Sequence, residues 1–82
     1  MKISTIKKGT RIEIRWIDSF HPTYTWRDDC DIKKNDCIEI RTVGYFFHAA
    51  KHMLIVSREK AKGQRCGVFY IPRGCIKSVE KI

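Results

Sequence analysis

The chain has no apolar run approaching the roughly 18 residues that a membrane-spanning helix requires. Its opening stretch, MKISTIKKGTRIEIRW, alternates and carries charge, the wrong pattern for a secretory signal. These two absences lead to the expectation of a soluble intracellular protein with no membrane partner. Internal repeats, linkers and low-complexity segments are also missing, so residues 1–82 read as one domain. A chain of this size buries only about 60–65% of its unfolded surface. Domains with so thin a margin often reinforce themselves with disulfides, a metal or a partner subunit.

Closely spaced cysteine pairs are lacking as well. Cys30, Cys37, Cys66 and Cys75 are separated by six, twenty-eight and eight residues. A zinc site built on turns needs pairs about two to four residues apart, so that both thiolates reach one tetrahedral ion. The cysteines are therefore expected to be structural thiols acting as small buried hydrophobes, with zinc and disulfides as the alternatives. No Gly-rich phosphate loop is present, and no cofactor is expected. Asp18, Ser19, His21, Asp28 and Asp29 are the residues available for catalysis. Neighbours on one loop rarely converge on a reacting atom, and Asp-Ser is a common turn pair through side-chain to backbone bonding. His48 and His52 are four apart with no evident helix to align them. The expectation is a protein that is not an enzyme.

Acidic residues are scarce. Nine Asp and Glu face seventeen Lys and Arg, for a formal charge of +8. A cationic surface concentrates anions whatever the fold beneath it, so nucleic acid, a nucleotide and an acidic protein surface are all eligible partners. The basic residues are scattered, and Lys on the outer faces of strands also serves as solvated edge protection.

What the chain does have is alternation. In residues 10–17, TRIEIRWI, Ile12, Ile14 and Trp16 take one face while Arg11, Glu13 and Arg15 take the other, the period of a half-buried strand. Residues 37–47, CIEIRTVGYFF, predict a second strand, in which Gly44 marks a bulge or bend. Residues 53–57 (MLIVS) and 66–71 (CGVFYI) predict two more, joined by the basic, glycine-containing connection REKAKGQR. A helical turn over 72–75 then leads into a short last strand within 75–82. The expected fold is all-β: a small five-stranded SH3-like or Sm-like barrel, with a long loop after strand one and a helical turn before the last strand. An OB-fold is the nearest rival, but it wants a helix between strands three and four, and REKAKGQR is too short for one.

Several of these pieces together resemble a group of small proteins of tailed phages and prophages. They are Trp16-x-Asp18-Ser19, Trp26 in the following loop, Thr42-Val43-Gly44-Tyr45, and Ile71-Pro72 through Val79. The resemblance spans nearly the whole chain from Gly9. It implies an accessory gene product working in the cytoplasm of a bacterial host cell, in a class that includes factors blunting antiphage defence. Some members of that class sequester nucleotide immune signals.

The segment from Trp16 to Trp26 crowds two Trp, one Tyr, one Phe and one His into eleven positions. Trp16 is expected to be core, and Trp26 is open between core and recognition. Base–aromatic stacking contributes about 1–3 kcal/mol per base, and Arg captures phosphate bidentately better than Lys does. Phe20, Tyr24 and Trp26 are accordingly the candidate ligand-stacking rings, with Arg27, Arg58 and Arg65 as the candidate charges. Three functions follow: capture of a small anionic nucleotide, with a homo-oligomer as a possible setting; RNA or DNA binding along a basic face; and a protein–protein adaptor. Charges converging on one spot favour a compact ligand, whereas a continuous basic track favours a polymer.

Overall fold

The alternation read in the sequence becomes a single antiparallel sheet. The computed structural model describes residues 2–19, 26–31 and 37–82. Its strands are β1 (Arg11–Ser19), β2 (Cys37–Ala49), β3 (Met53–Ala61), β4 (Gln64–Pro72) and β5 (Ile76–Lys81). Short 3-10 turns lie at Ile3–Thr5, Asp29–Asp31 and Arg73–Cys75. The sheet order is β4-β3-β2-β1-β5, so each strand pairs with its chain neighbour except β5, which returns beside β1. The protein is all-β with few helical residues, as expected. The sheet is open, however: β4 and β5 are its two edges and do not pair with each other. Closure into a barrel is therefore absent from this hydrogen-bond order. Among the described residues no helix is long and apolar enough to cross a membrane.

One face of the sheet carries the core. Because side chains alternate along a strand, Ile12 and Ile14 of β1 point to the same side as Val79 of β5, which pairs with Ile14. Phe46 of β2 sits opposite Val56 of β3, and Leu54 opposite Ile71 of β4, completing the buried set. Fully burying a Val, Leu or Ile side chain stabilises by about 1.5–3 kcal/mol relative to leaving it exposed. Ile3, Ile6, Trp16, Ala49 and Ile76 pack against this cluster while half-buried. The N-terminal turn thus supplies two isoleucines to the cover of the sheet. Trp16 has the expected core role, and its indole Nε1 donates to Thr42 Oγ1 at 3.0 Å. The protein is nonetheless extended: its radius of gyration is 15.8 Å, against about 12 Å for a compact chain of this length.

The bend expected in the second strand is where β2 changes partners. Residues up to Tyr45 pair with β1, and those from Tyr45 onward pair with β3, so Tyr45 faces Arg11 on one side and Ser57 on the other. The register shifts between Phe46 and His48, which marks a bulge. Gly44 is required just before it by close approach. A Cβ there would lie 3.0 Å from the Ser57 carbonyl oxygen and 3.3 Å from Val56 Cβ.

The connection REKAKGQR is shorter than the sequence suggested. Strand pairing continues through Glu59↔Cys66, Lys60↔Arg65 and Ala61↔Gln64, leaving Lys62 and Gly63 as the turn. Backbone pairing needs no apolar side chains, so the polar composition concealed the strand ends. Since β3 loses its β2 partner after Ser57, residues 58–67 run on as a two-stranded arm. Gly67 kinks the arm with φ +66°, and a Cβ there would lie 3.0 Å from Arg58 Cβ. The histidines part company in the same region. His48 lies within β2, paired with Ile55, while His52 is in the short turn before β3 and accepts a backbone bond from Arg73 at 2.8 Å.

Candidate functional site: a cationic–aromatic cluster at the root of the arm

Three separate segments bring charge to one spot. Lys8 precedes β1, Lys60 is near the end of β3, and Arg65 is near the start of β4. The Lys60 ammonium lies 4.7 Å from the Tyr45 ring centroid. Phe47 is flanked by the Lys8 ammonium at 4.8 Å and by the Arg65 guanidinium at 4.9 Å. A ring face attracts a cation through its quadrupole, worth about 0.5–1 kcal/mol at exposed sites. Lys60 Nζ also donates to the Gly9 carbonyl at 3.1 Å, and Arg65 Nη1 approaches Ser57 Oγ at 3.5 Å. These contacts hold the charges in place. Ser57 is only 1% exposed, so its hydroxyl is a fixed anchor at the base of the arm.

The cluster is predominantly cationic, with Glu59 as the acidic residue lining the groove beside it. Lys60 and Arg65 are directly opposed across the hairpin, and like charges so placed repel. Among the described residues no carboxylate forms an ion pair with Lys8, Lys60 or Arg65. Contrast Arg15 and Arg41, opposed across β1 and β2. There Glu39 bonds Arg15 at 2.9 Å and Lys77 at 3.4 Å. Desolvation acts to raise the Glu39 pKa, but the neighbouring Arg15 and Lys77 charges outweigh it and hold the carboxyl below its ordinary range. The groove beside the cluster has a volume of about 140 Å³ and is lined by Lys60, Arg65, Glu59 and Cys66 among others.

Of the residues singled out from the sequence, Arg65 joins this cluster. Arg58 is exposed on the arm, packed against Gly67. Phe20 and Tyr24 lie outside the described residues. Trp26 and Arg27 are on the segment entering the Asp29–Asp31 turn, and Trp26 is fully exposed at 103%, so it does not cover the core. Lys8, Lys60 and Arg65 lie over the rings of Tyr45 and Phe47. Lys8, Tyr45, Phe47 and Lys60 were missed. The signal for the rings was Val43-x-Tyr45-x-Phe47, an apolar set alternating with the inward one. The signal for the charges was the pairing of Lys60 with Arg65 across a two-residue turn.

Three of the cysteines are less buried than expected. Cys30 and Cys66 are exposed and Cys75 is half-buried, all as free thiols. Cys66 sits on the arm, beyond the reach of the core, which is why it does not act as a buried hydrophobe. Among the described residues no group of three or more His, Cys, Asp and Glu side chains is placed to hold a metal ion. No protein family, curated protein or solved structure matches this chain.

Proposed function

We propose that the protein is a non-enzymatic binding protein whose arm-root cluster captures the phosphate of a small anionic nucleotide. The observation that carries this reading is the convergence of Lys8, Lys60 and Arg65 on adjacent rings, with Lys60 and Arg65 opposed and no carboxylate paired with them among the described residues. A local arrangement that repels itself is the mark of a site satisfied by something else. A bound phosphate would offset that repulsion and accept charge-assisted hydrogen bonds from both side chains. The resemblance to phage accessory proteins supplies the setting: sequestration of a host immune signal in the bacterial cytoplasm. An SH3-like or Sm-like architecture belongs to the same proposal, supported by the sheet order, by the long β2 shared between two partners and by the 3-10 turn before β5. So does a homo-oligomer, supported by edge strand β4, which leaves Phe69 51% and Tyr70 63% exposed.

A second reading, binding of RNA or DNA, is favoured by Arg58 and Lys62, which extend positive charge along the arm beyond the cluster. Native mass spectrometry of protein taken directly from cells, and again after mixing with cyclic dinucleotides or with oligonucleotides, separates the two. The expected result is retention of a dinucleotide-sized ligand. Retention of oligonucleotide alone would replace the first reading with the second, and a monomer retaining neither would leave the adaptor.

A further inference from the structure

A second concavity lies away from the arm, between the N-terminal turn and the β5 edge, with a volume of about 450 Å³. It is an open groove, wider than the one at the arm. Three elements each bring one cation to it: Lys2 ahead of the first 3-10 turn, Arg73 in the last one, and Lys77 in β5. Ser4 and Ser78 add hydroxyls, Ile76 contributes an apolar wall, and among the described residues no carboxylate lines the groove. Arg73 is held from behind. Its backbone N–H donates to His52 at 2.8 Å and its Nη1 donates to the Ala50 carbonyl at 3.0 Å. That anchorage aligns the guanidinium at little further ordering cost and leaves other N–H groups for a ligand. Lys77 reaches Glu39 at 3.4 Å, so an incoming anion shares that ammonium with a carboxylate already present.

From this combination we infer a second ligand site, for a small phosphomonoester with an apolar portion. The phosphate meets Lys2, Arg73 and Lys77, and the apolar portion lies along Ile76. The site is independent of the arm-root cluster and uses none of its residues.

Amide-resolved NMR titration of the full chain tests it, with adenosine 5′-monophosphate as the probe and adenosine and inorganic phosphate as comparisons. The expected result is a saturable set of shifts at the amides of Lys2, Ser4 and the 73–79 segment, distinct from any shifts at the arm. Affinity for adenosine should be at least tenfold weaker, and Lys2→Ala/Lys77→Ala, both at exposed positions, should weaken the monophosphate at least fivefold with the parent fold retained. Lys60→Ala/Arg65→Ala should leave these shifts unchanged, which separates this site from the cluster. Equal binding of adenosine, an unaffected Lys2→Ala/Lys77→Ala variant, or shifts confined to the arm would each overturn the inference.

Discussion

The change of partners along β2 depends on Gly44, and Gly44→Ala gives that dependence a magnitude. The added methyl meets the Ser57 carbonyl oxygen at 3.0 Å and Val56 Cβ at 3.3 Å. The oxygen is backbone and Val56 is fully buried, so neither can swing aside. Overpacking of this kind costs about 1–3 kcal/mol. Gly44 is not in the positive-φ region, so alanine also gains about 0.4–1 kcal/mol by restricting the unfolded chain. The net expectation is a loss of about 1–2 kcal/mol. For a domain of this size 1 kcal/mol moves Tm by about 4–8 °C, which places the fall at roughly 5–15 °C. Gly74→Ala is the matched control, because a Cβ there meets nothing within 4 Å and φ is not positive. Thermal and urea unfolding followed by circular dichroism should show Gly44→Ala well below the parent and Gly74→Ala level with it or above. Equal stability of the two variants would refute the crowding at the bend.

Other parts of the fold give independent tests. Leu54→Ala removes a fully buried side chain, and urea unfolding should show a loss of about 2–5 kcal/mol. Trp16→Phe keeps an aromatic ring but deletes the bond to Thr42, costing about 0.5–1.5 kcal/mol in the same assay. Trp26→Ala should shift stability by no more than about 0.5 kcal/mol, because the side chain is fully exposed; a larger loss would mean that it packs. Glu39 has a lowered pKa, so its contribution is present above the ordinary glutamate value of 4.5 and is lost as pH falls through the lowered one. The urea midpoint of Glu39→Gln should therefore trail the parent modestly at pH 7, with the gap narrowing as pH falls below 4.5, and a gap that does not narrow would contradict the ion-pair account.

The backbone scheme was legible because alternation reports burial directly. Ile12, Ile14 and Trp16 announced the inner face of β1, and the placement of Gly44 announced the bend in β2. The 3-10 turn before β5 was also foreseen, because Pro72-Arg73-Gly74 punctuates the pattern there. Legibility failed where side chains do not report the backbone. Residues 58–60 and 64–65 are polar, and their strand character comes from the pairing across Lys62 and Gly63. Closure was expected from strand count alone, and no pattern in β4 or β5 states whether the two edges meet. The cluster was hidden for a related reason. Its members come from before β1, from β2 and from both arms of a hairpin, so only the register brings them together. Arg65 was found through its chemistry, whereas Lys8 and Lys60 looked like ordinary solvated lysines.

Whether convergence or bulk charge attracts an anion is decided by comparing two variants of equal net charge. Lys8→Ala/Lys60→Ala/Arg65→Ala removes the cluster, while Arg41→Ala/Lys51→Ala/Lys81→Ala removes three exposed charges elsewhere. Titration calorimetry with a cyclic dinucleotide at fixed salt measures both against the parent. The account predicts at least a tenfold loss for the cluster variant, equivalent to about 1.4 kcal/mol or more, and less than a threefold loss for the control. Equal losses in the two variants would contradict it.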